Sequence, residues 1–365
     1  MTGAGGAWRV IDTGLRPAAE NLAINRAMLE ARQHGEIPNT LRFLRFTPSA
    51  LVGFHQSVAQ ELREDYCIER GIAVQRRITG GGAIYFDETQ LGWELYLDRA
   101  TLGGADMLEI ARRICEVAAA GIRRLGVDAR FRPRNDIEVD GRKISGTGGA
   151  FDGDAILYQG TLLVDFDVER MLRVLRIPAE KLSDKAIASA RERVANLKEL
   201  LGEAPGLERV MACLTAEFAR GFGAEFDAAA ALSPAEQVRF RAALAEIDTG
   251  EWVYQHNRPM AEAPTLEAVH KTAGGLMRVA LAVDARRRRI KQAWITGDFF
   301  VNPKRMIVDL EAALRDTAAD DYRRTIEAFF DRYPVEMLLL RREDFSAAIG
   351  AALDQGAAPT GEAAG

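Results

Sequence analysis

Cysteine and histidine are scarce in this chain of 365 residues, which has three of the first and four of the second. Cys67, Cys115 and Cys213 are odd in number and scattered, so neither a disulfide framework nor a cysteine metal site is expected. His34, His55, His256 and His270 have no metal-ligand spacing. No apolar run approaches the length of a membrane span. Residues 1–7 have neither the basic start nor the apolar core of a signal peptide. The expectation is a cytoplasmic protein without a membrane partner. Nor is there an excess of positive charge: 48 basic against 53 acidic residues leave a net charge of -5. That gives no reason to expect nucleic acid as the main partner. Internal repeats are missing too.

A chain this long exceeds a typical single core, so two domains are expected. Its 48% hydrophobic and 28% charged content is ordinary for a soluble globular enzyme. Two stretches stand out. Residues 76–87 read Arg-Arg-Ile-Thr-Gly-Gly-Gly-Ala-Ile-Tyr-Phe-Asp. Gly80, Gly81 and Gly82 allow close backbone approach to a ligand, and Arg76 and Arg77 are suited to a two-pronged grip on a carboxylate or phosphate. No Gly-Lys-Ser/Thr follows, so this is not a P-loop. No helix pattern opens after the glycines, so it is not a dinucleotide fingerprint. The second stretch, residues 135–149, reads as a strand, an Asp140-Gly141 turn and a returning strand that carries Lys143. Each signal has a bland alternative. Three glycines also make a flexible loop, a lysine just past a hairpin turn is usually a solvated charge, and Asp136 has a cap at the hairpin start as its alternative. Together they suggest a site that activates a carboxylic acid with a nucleotide.

The periodicity predicts helices over 17–33, 106–125, 167–176, 185–200, 207–222 and 233–246. Short strands are expected over 41–46, 50–53, 72–77, 91–97 and 157–164, with the hairpin over 137–145. Asp248-Thr249-Gly250, Pro259 and Pro264 interrupt the pattern and place a boundary near 247–264. Beyond it, strands fit 276–283 and 290–296, and helices fit 303–314, 319–332 and 343–354. The domain reading is a flexible N-terminus at 1–7, a catalytic domain at 8–250, a small accessory domain at 255–355 and a disordered tail at 356–365.

On these residues the chain resembles the lipoate–protein ligase family of the wider biotin and lipoate ligase fold. The motif Arg76–Asp87, the pair Asn135-Asp136, the run Gly141–Gly146 and the run Gly160–Leu163 fall in the family's order and spacing. Residues 185–201, with Arg191, Arg193, Val194, Asn196 and Leu197, also resemble it. The similarity covers roughly residues 8–205; from 250 to 355 it is one of length and outline. The resemblance implies an α+β fold. A mixed, largely antiparallel sheet flanked by helices would be followed by a small α+β accessory domain. It implies a ligase that joins lipoate to ATP, with Mg2+, and passes the acyl group from lipoyl-AMP to an acceptor lysine. Lys143 would hold the carboxylate and α-phosphate oxygens. Asp136 would lie near the phosphates and metal, and deprotonate or orient the incoming amine. Arg77, Thr79 and Gly80–Gly82 would line the site, and Ala83, Ile84 and Tyr85 would give it backbone groups and an apolar wall. Gly160 and Thr161 would close the opposite side. Asn25, Phe86, Gly148 and Gln159 are binding positions that depart from the family pattern, as does the position near Gln90. The family often has glutamate at the first, histidine at Phe86 and Gln159, alanine at Gly148 and asparagine near Gln90. The implied partners are lipoate or octanoate and a lipoyl acceptor. That acceptor would be a dehydrogenase-complex lipoyl domain, a glycine-cleavage H-type protein or a dedicated lipoate-binding protein of sulfur oxidation.

Two rival functions share this pocket. An octanoyltransferase would carry the acyl group on a cysteine, and a non-catalytic lipoyl-binding paralogue would only hold it. All three cysteines read as helix-packing residues. The run Arg286–Arg289 reads as a solvated turn, with contact to an acidic acceptor as its alternative, and Trp252, Trp294 and Tyr254 read as core or junction residues.

Overall fold

The sheet that organises the first part of the chain grows from alternating apolar strands whose two faces are covered differently. A computed structural model describes residues 7–133, 135–176, 184–229, 231–257 and 265–357. The chain starts with strand β1 (Trp8–Arg16), helix α1 (Ala18–Gln33), β2 (Thr40–Phe46) and β3 (Ser49–Val52). Short helices α2 (Val58–Glu61) and α3 (Glu64–Glu69) lead to β4 (Ala73–Arg76), β5 (Ile84–Phe86) and β6 (Gln90–Asp98). Helix α4 (Met107–Arg123) precedes β7 (Arg130–Arg132), β8 (Asp136–Val139), β9 (Arg142–Asp152) and β10 (Ala155–Leu163). Then come α5 (Val168–Val174), α6 (Asp184–Arg191), α7 (Leu197–Leu201), α8 (Leu207–Phe222), β11 (Phe226–Ala229), α9 (Pro234–Ile247) and α10 (Gly250–Tyr254).

Eight strands form one sheet in the order β11-β1-β2-β6-β10-β9-β8-β7. Only β1 pairs in parallel, with β2 and β11; the other pairs are antiparallel. The mixed, largely antiparallel α+β fold is thus present. One face buries Trp93, Leu95, Ile144, Ile156 and Tyr158 against α4 and α8, through Ile114, Leu214 and Phe218. The other buries Leu44, Tyr96 and Leu157 beneath α1, where Ile24 and Met28 point inward, and packs with Phe86 and Ile247. A second sheet, β4-β3-β5, carries the glycine loop between β4 and β5. Helix α4 starts at an Asp106 N-cap that accepts from Glu109 N, and α9 at a Ser233/Glu236 capping box, both common devices for satisfying first-turn amides.

The single helix expected over 185–200 is two. The chain leaves α6 after Arg191 and runs extended through Val194 and Ala195 before α7, because that segment bonds to Lys143. Strands β1, β7 and β11 were not anticipated. Each is short, irregular or at the sheet's margin, where alternation is weak.

A second compact unit comprises His55–Ser57 with residues from 256 onward. It contains β12 (Thr265–Lys271), β13 (Leu276–Asp284), β14 (Arg289–Gly297), β15 (Val301–Asn302), α11 (Met306–Leu314), α12 (Tyr322–Arg332), β16 (Glu336–Met337) and α13 (Arg342–Ala357). An antiparallel β12-β13-β14 meander packs its own core with the helices, around Met277, Leu281, Ile295, Leu310 and Phe345. Strand β12 was also missed in the sequence. Glu311 on α11 accepts a hydrogen bond from Ile295 N of the edge strand β14, at 2.6 Å, and burial pushes its carboxyl up to about 7. In the charged turn, Arg288 pairs with Asp320 at 2.8 Å and Arg289 with Asp316 at 3.1 Å, all exposed. Helix α13 continues to Ala357, two residues into the expected tail. The rest of that tail, residues 1–6 of the expected flexible N-terminus, and Pro259 and Pro264 lie outside the described residues. Among the described residues, no helix is long and apolar enough to cross a membrane.

Candidate functional site

The lysine hairpin forms as its turn chemistry dictates. Asp140 and Gly141 both take positive φ, 50° and 76°, as a two-residue type I′ turn requires. The returning strand does not run in simple register. Ile137 pairs with Ser145, but Glu138 pairs with Lys143, so β9 carries one extra residue, Ile144. Such a bulge re-aims side chains. Ile144 and Ser145 both turn to the buried side, and Lys143 emerges beside Asp136. The backbone of Lys143 is then free to bond elsewhere: its N–H donates to Arg193 O at 2.8 Å, and its carbonyl accepts from Ala195 N at 2.9 Å. The segment between α6 and α7 therefore holds the lysine in place. Across the face, Gly146 completes the fit. A Cβ there would lie 2.7 Å from both Cε and Nζ of Lys143, so the lysine lies over a glycine.

Lys143 Nζ is 2.8 Å from Asp136 Oδ1, and Arg132 reaches Oδ2 at 2.6 Å. Burial of Asp136 opposes its charge, but Lys143 and Arg132 outweigh it and hold the carboxyl below its usual range. Asp136 is thus a poor proton acceptor and a good orienter of ammonium. Its own position is fixed from behind. Asn135 Nδ2 donates to Thr147 O at 2.6 Å, and Thr147 Oγ1 donates to Asn135 O at 2.8 Å. Tyr158 OH, 2.8 Å from Thr147 Oγ1, completes a buried hydroxyl pair with Cys115 Sγ at 3.3 Å. Thr147→Val leaves the Tyr158 hydroxyl short of a partner in the core, at a cost of about 1–3 kcal/mol. Urea unfolding should show a lower midpoint for Thr147→Val and near-complete recovery in Thr147→Ser.

The two arginines before the glycines do not face a ligand. Arg76 is fully buried and donates to Gly53 O, Phe54 O, Trp252 O and Val253 O at 2.8–3.2 Å. Arg77 donates to Leu51 O, Gly80 O and Gly82 O at 2.8–3.1 Å and to Thr79 Oγ1 at 3.3 Å. The expected carboxylate or phosphate grip is instead a grip on backbone carbonyls, and it sets the shape of the glycine loop. Burial pulls Arg77 down to about 10 and, with Arg77 adjacent, Arg76 to about 9. Gly53, not noticed in the sequence, meets the loop from below. A Cβ on it would collide with the Gly81 carbonyl.

The remaining expected residues divide by face. Cross-strand partners share a face, so Asp136, Gly146, Thr161 and Gly92 form one row and Gly148, Gln159 and Glu94 the next. Gly146, Gly148, Gln159 and Thr161 are partly exposed, which leaves an open trough floored mainly by glycine and threonine. Gln159 Nε2 reaches Thr79 Oγ1 at 3.3 Å and links the trough to the glycine loop. Gly82, Ala83 and Ile84 are partly exposed along that loop. Asn25, on α1, donates to Glu94 Oε1 at 2.6 Å. Three residues point elsewhere. Tyr85 packs with Cys67 and Phe166 behind the small sheet. Phe86 packs against Phe46, the tilted rings 4.7 Å apart between centroids, in the core under α1. Gly160 belongs to the opposite face, where a Cβ would strike the Trp93 ring. Glycine there serves packing, not closure of the site.

The donor set does not fit a resident metal at Asp136, since each of its oxygens is held by a cation. Among the described residues, no group of three or more His, Cys, Asp or Glu side chains is arranged to hold one. Cys67 and Cys115 are buried, and burial pushes both thiols up to about 11. Cys115 lies nearer the trough than the sequence suggested, 3.4 Å from Thr147 Oγ1, but on the covered side of the sheet.

Residues 17–219, more than half of the chain, match the family described as the lipoyl protein ligase A/B catalytic domain. Octanoyltransferase LipM of Symbiobacterium thermophilum is 31% identical over 239 residues, which span 59% of this chain and 86% of that protein. Among solved structures, one of a bi-partite lipoate protein ligase and its E2 lipoyl domain from Thermoplasma acidophilum is similar at 28% identity. Its TM-score is 0.63, with 70% of this chain and 99% of that chain covered. A lipoate-protein ligase A structure bound with ATP is similar at 26% identity, with a TM-score of 0.60 and 69% and 99% covered.

Proposed function

We propose that this chain, which belongs to the lipoyl protein ligase A/B catalytic domain family, activates lipoate or a close analogue with ATP and transfers the acyl group to a lysine of a lipoyl domain. In the first step a carboxylate oxygen attacks the α-phosphorus of ATP. The bond to the bridging oxygen breaks, and pyrophosphate leaves with its electron pair. In the second, the neutral amine of the acceptor lysine attacks the carbonyl of the mixed anhydride, AMP leaves, and the amine proton passes to solvent. Neither step needs a protein nucleophile. The work left to the chain is positioning and charge neutralisation.

One observation carries this reading: the bulge that aims Lys143 over Gly146 and into the trough. Its ammonium is placed to meet the carboxylate and α-phosphate oxygens as they approach, and Asp136, 2.8 Å away, orients it. The glycine loop, shaped by Arg77, offers backbone groups for the nucleotide. ATP brings its magnesium as part of the substrate, and no step is routed through a metal on Asp136. The ATP-bound relative of similar fold supports the nucleotide, and the E2 lipoyl domain solved with a related ligase supports the class of acceptor.

The octanoyltransferase name of a relative favours a second reading, an acyl group carried on cysteine. A thiol acts as a nucleophile in its thiolate form, and the thiols of Cys67 and Cys115 are pushed the other way. The expected result is lipoate-dependent ATP–pyrophosphate exchange by the wild type, retained within a few-fold in a folded Cys67→Ser, Cys115→Ser, Cys213→Ser variant. A dead but folded triple variant, with an octanoyl thioester on one wild-type cysteine by mass spectrometry, would replace the ligase reading with the transferase. No exchange and no thioester, with lipoate still bound, would leave the non-catalytic paralogue.

A further inference from the structure

Lys143 shares its carboxylate with a second cation. Arg132 lies on β7, at the sheet's edge, directly opposite Asp136 on β8. Cross-strand partners share a face, so Arg132 extends the row of Asp136, Gly146 and Thr161 to the rim of the trough. Its guanidinium spans two acids of β8. One nitrogen is 2.6 Å from Asp136 Oδ2, and another is 3.3 Å from Glu138 Oε2. Lys143 Nζ takes the other Asp136 oxygen, Oδ1, at 2.8 Å. Asp136 is the most enclosed of the four. Its side chain is 19% exposed, against 38% for Lys143 and 41% for Arg132.

A Lys143–Asp136 pair on its own would be closed. An ammonium that turned to an incoming anion would leave a largely enclosed carboxylate without compensation, and an uncompensated charge in such a place is costly. Arg132 removes most of that cost, because Asp136 keeps a charge-assisted hydrogen bond when the lysine turns away. We propose that Arg132 is a positioning residue for acyl activation: as the standing counter-ion of Asp136, it frees the Lys143 ammonium for the carboxylate and phosphate oxygens. The inference rests on the acyl-activation reading above and adds a residue to the same site. The role belongs to the reaction more than to the fold, since a part-exposed ion pair at a sheet edge adds little to stability.

The test is lipoate-dependent pyrophosphate exchange by the full chain, in a double-mutant cycle with Lys143. Arg132→Gln should lower kcat about tenfold, the worth of roughly one charge-assisted hydrogen bond. The KM values for lipoate and ATP should stay within about threefold, because the loss falls in the transition state. Arg132→Lys keeps the charge beside Asp136 and should recover most of the rate. In the Lys143→Ala background, Arg132→Gln should cost less than about twofold more, because the arginine acts through the lysine. A merely structural role would lower both backgrounds alike and move the urea midpoint, which should stay where it is. If Arg132→Gln does not fold, Arg132→Met, which keeps the aliphatic stem, takes its place in the cycle. Wild-type kcat in the folded variant, or a loss of about tenfold repeated in the Lys143→Ala background, overturns the role of Arg132 and leaves the activation reading standing. Lack of exchange by the wild type itself removes the activation reading and this role with it.

Discussion

Lys143→Ala should slow adenylate formation by about two to three powers of ten, the usual loss when a preorganised electrostatic group is removed from developing charge. The fold should survive. The lysine's structural work is done by its backbone, which bonds to Arg193 and Ala195, and its side chain is part-exposed. Asp136 would retain Arg132, so no carboxylate is stranded. Lys143→Arg should recover little, because a planar guanidinium does not reproduce the compact ammonium that lies against Gly146. The measurement is lipoate-dependent pyrophosphate exchange, with circular dichroism to establish folding. Wild-type exchange by folded Lys143→Ala would remove the lysine from the mechanism.

The sequence revealed what local chemistry decides. The Asp140-Gly141 turn, the hairpin around it and the periodic helices α4, α8 and α9 could all be read, because each is specified by residues close in the chain. It could not reveal what long-range pairing decides. The bulge at Ile144 leaves Lys143 to pair with the Arg193–Ala195 segment from far along the chain, and that same pairing splits the helix expected over 185–200. The arginines show the limit most clearly. Arg76 and Arg77 read as ligand-gripping groups by type and position, yet their partners are carbonyls from Leu51, Gly53 and Val253, which no local pattern reveals. Gly160 fails similarly: its neighbour Thr161 faces the trough, but the alternation of a strand puts Gly160 on the Trp93 side. Glu94 carried no motif at all. Its one sequence signal was a charged residue within an otherwise apolar strand, where burial without a partner would be prohibitive.

Gly53→Ala should be the most damaging single methyl in the first unit, both for stability and for exchange. The added Cβ would meet the carbonyl of Gly81, with Gly80 C at 3.3 Å just behind. Backbone, unlike a flexible side chain, cannot swing away. Here it is pinned from the other side, since Arg77 holds the carbonyls of Gly80 and Gly82. Gly81 itself sits at φ 92°, a conformation open to few other residues, so the loop has little slack. Gly53 is held in turn by Arg76 through its carbonyl, at 3.0 Å. Overpacking of this kind costs about 1–3 kcal/mol, occasionally more. Whatever part is relieved must be relieved by moving the glycine loop, and a shift of about 1 Å in a positioning element costs on the order of a hundredfold in rate. The folded fraction of Gly53→Ala should therefore show exchange reduced by about that factor, with the loss in kcat as well as in the KM for ATP. Unfolding midpoints and exchange kinetics on the same preparation check both halves. A variant as stable and as active as the wild type would mean that the Gly53–Gly81 approach does not set the loop.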